Sequence, residues 1–162
     1  LSGNGVIDIG SGVSINLSAP NGKAGTLVID PTDVVIGDTG QGDTGVTLSN
    51  TSVANAIAAL SAGATYVVQA DNSITLAAHA VIDARRLDGS GHSTGNANKV
   101  ELDAKTIDIV SGAKMLAQAV NSGTSYTDGS VTLAATASDS KLSGQATATS
   151  GITVDGRITG GN

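Results

Sequence analysis

The sequence predicts an all-β chain in which short strands stack as the coils of a solenoid, with one short flanking helix near residues 51–63. Three observations carry that expectation. Brief apolar runs alternate with polar residues along nearly the whole chain, which is the period of strands. Gly, Ser, Asn or Asp punctuates almost every gap, and these are turn residues. One frame also recurs with variable insertions, as coils do when loops absorb the differences in length.

Taken in order, the first runs are VIDI (6–9), VSINL (13–17), TLVID (26–30), VVI (34–36) and VTL (46–48). YVVQA (66–70), SITLAA (73–78), AVIDA (80–84), KVELDA (99–104), TIDIV (106–110), SVTLAA (130–135) and GITVDG (151–156) follow. SITLAA, KVELDA, SVTLAA and GITVDG share the repeat frame, with Ile74, Val100, Val131 and Ile152 as their first apolar residues. Each coil is expected to hold two or three strands, each paired with its counterpart one turn away. An antiparallel sandwich also uses short strands at regular spacing. Here, however, two-residue Asn-Gly and Asp-Gly hairpin turns are scarce, and the strands are short and rich in Ala and Gly.

TSVANAIAALSAG (51–63) breaks the pattern. Thr51 or Ser52 can cap a helix, Val53, Ala56, Ile57 and Leu60 share one face, and Gly63 can end it. Such a helix would cover one edge or flank of the stack. SGAKMLAQAVNSG (111–123) has a weaker helical pattern at Met115, Leu116 and Val120, and reads almost as well as a strand.

Composition bounds the rest. A length of 162 residues fits a single domain, 1–162, with a real core. That core must be built from Val, Ile, Leu and Ala, because aromatics are 1% and Phe, Trp and Cys are absent. With a net charge of -6 the chain lacks the concentrated basic surface that nucleic acid requires. The one adjacent basic pair, Arg85-Arg86, reads as a solvated loop edge. No apolar run approaches the roughly 18 residues of a membrane helix, so no membrane insertion is expected. The chain starts and stops in strand-like sequence and shows no signal-peptide pattern. It reads as a fragment of a longer repetitive protein.

Several motifs imitate active sites. Asp-Thr-Gly occurs at 38–40 and again at 43–45. An aspartic protease needs its two carboxylates nearly touching across a two-fold axis, from separate loops. Two copies in one Gly-rich turn cannot supply that symmetry, so a turn is expected, with clustered Asp oxygens that suit calcium at most. GHSTG (91–95) fits a nucleophile elbow at Ser93, but it precedes a strand where a helix is required. Both histidines, His79 and His92, also precede Ser93. Two histidines without cysteine form no zinc spacing. Thirteen of the fourteen acids are Asp, many of them at strand ends, where they read as turn formers. Sugar-stacking platforms are limited to Tyr66 and Tyr126. No catalytic, cofactor-binding or metal-binding residue is therefore assigned, and no enzyme is expected. Asn16-Leu17-Ser18 and Asn50-Thr51-Ser52 are formal glycosylation sequons that read as polar strand ends.

GTLVIDPTDVVIG (25–37) followed by TSVANAIAALSAGATYVVQADNSITLAA (51–78) resembles the filamentous-haemagglutinin-type exoproteins of two-partner secretion in Gram-negative bacteria. Leu27, Asp30, Pro31, Leu60, Gly63, Val68, Ala70, Ile74 and Leu76 occupy the places of that family's motifs. The match covers about residues 5 to 110, and its consecutive order makes it specific where each element alone is weak. SVTLAATASDS and SGITVDGRITGGN resemble the repeat shafts of large adhesins, some of them from biofilm matrices. The resemblance implies a right-handed parallel β-helix, export through an outer-membrane two-partner-secretion transporter, and a place at the cell surface. The amino-terminal secretion domain of such proteins is not recognisable, so an internal segment is expected. It carries no catalytic residue onto these positions. The expected function is a structural shaft of a secreted cell-surface or biofilm adhesin. The alternative is a glycan- or exopolysaccharide-binding module using a polar flank and the loops at 37–45 and 85–98, with exopolysaccharide or host glycans as partners.

Overall fold

Alternation and turn residues shape the backbone of the computed structural model, which describes residues 25–29, 31–37, 46–121, 123–135, 151–154 and 156–159. Among these residues the first strands are β1 (Thr26–Ile29), β2 (Asp33–Ile36) and β3 (Val46–Leu48), followed by the helix α1 (Asn50–Ala59). Then come β4 (Thr65–Gln69), β5 (Ser73–Leu76), β6 (Val81–Asp83), β7 (Lys99–Ala104), β8 (Thr106–Ile109) and β9 (Lys114–Leu116). The last are β10 (Val131–Ala135), β11 (Gly151–Val154) and β12 (Arg157–Thr159). The expected strands at 6–9 and 13–17 and both Asp-Thr-Gly copies lie outside the described residues.

The strands form three sheets, ordered β1-β4-β7-β10, β11-β8-β5-β2-β3 and β12-β9-β6. Every pairing of strands among the described residues is parallel, so the antiparallel sandwich is not what forms there. The three strands β4, β5 and β6 pair respectively with β7, β8 and β9, and these with β10, β11 and β12. The fold is thus mostly β, built of parallel sheets with one helix.

Register aligns like with like. Tyr66 lies beside Leu27 and Val100, and Val100 beside Val131. Ile74 lies between Val34 and Ile107, and Met115 between Ile82 and Ile158. Ile74, Ile82, Ile107 and Met115 are all at most 1% exposed, and each such side chain contributes roughly 1.5–3 kcal/mol relative to exposure. Leu27, Val131 and Ile158 are only partly buried because they lie on the outermost strands of their ladders. The turns stack as well: Asn72 N–H donates to Thr32 O, and Thr106 N–H to Asn72 O. At the same corner Asp33 Oδ1 accepts from Asn72 Nδ2 at 2.8 Å and Ser73 Oγ at 2.6 Å.

The repeat frame requires one correction. KVELDA and SVTLAA, as β7 and β10, do pair, but SITLAA and GITVDG, as β5 and β11, belong to another sheet and flank β8. The frame marks any strand with alternate inward residues that ends at a corner, and does not trace one ladder.

The helix also differs at its ends from the sequence expectation. Its N-cap is Ser49, whose Oγ accepts from Ser52 N–H at 3.0 Å, and the chain turns extended at Leu60 (φ -73, ψ 149), before Gly63. Ser52 is unavailable as a cap because it is buried in the first turn. Val53, Ala56, Ile57 and Leu60 are buried as their spacing predicts. Among the described residues of 111–123 there is a strand, β9, and no helix. The helix-forming residues there are overruled by the backbone ladder, in which Lys114 N–H donates to Ala80 O.

Two buried positions respond in opposite ways to a small change. Gly37 is buried at φ 149, and a Cβ there would sit 2.8 Å from Ala77 Cβ. Gly37→Ala should cost about 1–3 kcal/mol in chemical denaturation, through backbone strain and overpacking. Tyr66 is fully buried with no partner for its hydroxyl, and desolvation raises its pKa. Tyr66→Phe should therefore be neutral or stabilising by about 1 kcal/mol. A clear loss in the same assay would mean that the hydroxyl is hydrogen-bonded.

Candidate functional site

The sequence assigns no catalytic, metal or cofactor residue, so the site is built from where the structure gathers polar side chains outside the ladders. The densest gathering is the corner where β6 leads into the 84–98 loop beneath α1. Asp83, the last residue of β6, grips Arg85 two residues on: Nε donates to Oδ1 at 2.8 Å and an Nη donates to Oδ2 at 2.7 Å. Arg85 N–H adds a third bond to the same carboxylate at 3.1 Å. This two-pronged geometry is the strong form of an ion pair. The Asp83 hydrogen bond, aided by its charge and opposed by partial burial, raises the Arg85 pKa.

Arg86 turns the other way. One Nη donates to Leu60 O at 2.7 Å, placing a cation on a carbonyl at the negative end of α1. Arg85 and Arg86 are thus not the solvated edge expected from sequence; both are half-buried and bonded. Between them and Ala54, Ile57 and Ala58 of α1 lies a cleft of about 220 Å³, closed by Leu87 and Thr94. Both of its guanidinium groups are committed within the protein, so the cleft offers an apolar floor without free charge.

Beyond the cleft the loop orders itself. Leu87 and Ser93 form an isolated antiparallel bridge, and Thr94 N–H donates to Arg86 O at 2.8 Å. Asp88 Oδ1 accepts from Ser90 N–H at 2.8 Å and His92 N–H at 3.0 Å, while Gly91 takes φ 81 at the tip. The loop is also tied to the 117–130 loop of the next unit. Ser93 N–H donates to Val120 O, and Ser93 Oγ accepts from Val120 N–H, both at 2.8 Å. Thr127 N–H donates to Asn96 Oδ1 at 3.0 Å.

The motifs singled out in the sequence can now be placed. GHSTG lies in this loop and leads into β7; Ser93 Oγ is bonded to the backbone, and His92 is exposed. His79 is exposed in a left-handed turn, φ 65. Among the described residues no three of His, Asp and Glu come together as a metal site. Tyr66, one of two possible sugar platforms, is inside the core, and Tyr126 is half-buried in the 117–130 loop. In the second sequon Asn50 Oδ1 accepts from Val81 N–H at 3.0 Å and Ser52 is buried, so the folded chain has that amide engaged. No helix among the described residues is long and apolar enough to cross a membrane.

A second groove lies on the outer face of the β6-β9-β12 sheet, where Lys114 of β9 is directly opposite Arg157 of β12. It also measures about 220 Å³, and Arg85 stands at the border of both spaces. Sequence reasoning missed it, because Lys114 and Arg157 are far apart in the chain and only the ladder joins them. No family model, curated protein or solved structure matches the chain.

The Asp88 carboxylate is held below its ordinary 3.8 by the N–H groups of His92 and then Ser90. A lowered folded pKa contributes order above the unfolded value and loses it as pH falls through the folded one. Protection of the Ser90 and His92 amides, measured as the exchange rate relative to an unstructured peptide at the same pH, should thus persist down to the ordinary carboxylate range and be lost below it. Asp88→Ala should remove that protection above the carboxylate range, make little difference below it, and leave the melting temperature nearly unchanged.

Proposed function

We propose that the chain is a structural shaft segment of a secreted cell-surface or biofilm adhesin, wound as a right-handed parallel β-helix. The observation that supports this most is the repeated pairing of β4, β5 and β6 with β7, β8 and β9, and of these with β10, β11 and β12. Parallel strands joined by crossovers are right-handed in nearly all proteins. A stack of this kind is quasi-one-dimensional: each unit touches only its neighbours, and length is added without redesigning the core. Such a body serves to hold a binding tip away from a cell. The resemblance of the 25–78 motifs to two-partner-secretion exoproteins supplies the rest of the reading. On it, the parent leaves the cell through an outer-membrane transporter of that system, acts outside the cell and performs no catalysis.

Removal of residues 65–98 tests the reading. Thr26 pairs with Thr65 and Thr65 with Lys99, while Asp33 pairs with Ser73 and Ser73 with Thr106. Joining 64 to 99 therefore brings β7 and β8 into the places of β4 and β5. The shortened parent should still fold, reach the cell surface and support adhesion. A chain that no longer folds overturns the stacked architecture. One that folds but stays inside the cell overturns the location, and one that is displayed without adhesion overturns the shaft role.

A further inference from the structure

The groove on the outer face of β6-β9-β12 carries an arrangement that stacking alone does not require. In this sheet Ile82, Met115 and Ile158 point inward, so the alternate residues face out in two rows: Val81, Lys114 and Arg157, then Asp83, Leu116 and Thr159. Lys114 and Arg157 are both exposed. Among the described residues they are the one pair of like charges directly opposite each other across strands. Like charges so placed destabilise a sheet. The chain has acid to spare, 14 Asp and Glu against 8 Lys and Arg, and one row away it sets Asp83 against Arg85. Yet neither Lys114 nor Arg157 has a carboxylate within ion-pair distance among the described residues. Three of the eight cations line this one groove.

We infer that the groove across β6, β9 and β12 binds an acidic polysaccharide, a polymer of uronic acid residues. Lys114 and Arg157 stand on neighbouring strands, about 4.8 Å apart, and give two positive charges to carboxylates carried on a sugar chain crossing the strands. Their apolar stems, with Leu116 and Val120, form the surface for sugar ring faces; Val120 is one of two exposed large apolar residues among the described residues. Gln118 and Thr159 offer hydrogen bonds to hydroxyls, and Arg157 Nε already reaches Thr159 Oγ1 at 3.3 Å. Arg85, held by Asp83, forms the border towards the 84–98 loop. Two cations on one face can meet the carboxylates of neighbouring sugars, but they are too few for the extended basic surface that nucleic acid requires. The groove also has no aromatic ring for base stacking.

The test is calorimetric titration of the intact chain with a short uronic acid oligomer, a neutral oligomer of the same linkage and a single-stranded oligonucleotide, each at low and high salt. Saturable binding of the uronic acid oligomer alone, weaker in salt, is expected. Lys114→Gln with Arg157→Gln should weaken it by about tenfold or more, with an unchanged circular dichroism spectrum. The melting temperature of that variant should hold or rise, because the repulsion is gone. Absence of binding, affinity unchanged in the variant, equal binding of the oligonucleotide or of the neutral oligomer, or a variant that melts lower would each overturn the inference. None of these outcomes bears on the shaft reading, which the 65–98 deletion tests through folding, display and adhesion instead.

Discussion

The parallel backbone ladder at zero offset is the constraint from which the other features follow. Each strand meets its counterpart residue for residue, Val34 on Ile74 on Ile107 and Ile82 on Met115 on Ile158. A slip of one residue would turn every apolar side chain outward and every polar one in, so the burial pattern and the hydrogen bonds enforce the same alignment. The unusual composition follows from this. Layers under 5 Å thick leave little room for large rings stacked on one another, and Val, Ile, Leu and Ala fill them. Tyr66 is the exception, and its hydroxyl is buried without a partner.

A ladder of this kind creates an edge wherever it stops, and the structure shows one solution. The β6 edge of the three-stranded sheet has no further strand in the described residues; α1 packs along it instead, with Asn50 Oδ1 accepting the Val81 N–H. The helix is in turn fixed at its far end by Arg86 on Leu60 O and by Asn98 Nδ2 on Ile57 O. An exposed row of backbone groups is thereby covered. The loops obey the ladder too: the 84–98 and 117–130 loops are joined through Ser93, Val120, Asn96 and Thr127.

Register also decides the surface, because it brings into line residues that the chain keeps apart. At the strand ends it aligns Asp33 with Ser73, where a carboxylate and a hydroxyl form a bond. On the β6-β9-β12 face it aligns Lys114 with Arg157, where nothing in the ladder compensates the charges. The first arrangement holds a corner together, and the second is, among the described residues, the one place where like charges meet across strands.

The sequence by itself determined the mostly β class, the positions of most strands, the buried face of α1 and the loop at 85–98. Those features are local: alternation with period two, a helical stripe, and turn residues act over a few positions. Only the tertiary structure decided that KVELDA pairs with SVTLAA while SITLAA pairs with TIDIV, that KML is a strand, and that RIT extends the third sheet. It alone decided that Arg85 and Arg86 are bonded inward and that Lys114 faces Arg157. Short apolar strands with the same alternation are interchangeable as local sequence, and helix-forming residues such as those around Met115 carry no record of the neighbours that override them. Partner choice is settled by docking against segments a whole unit away in the chain, and the groove exists only once that choice is made.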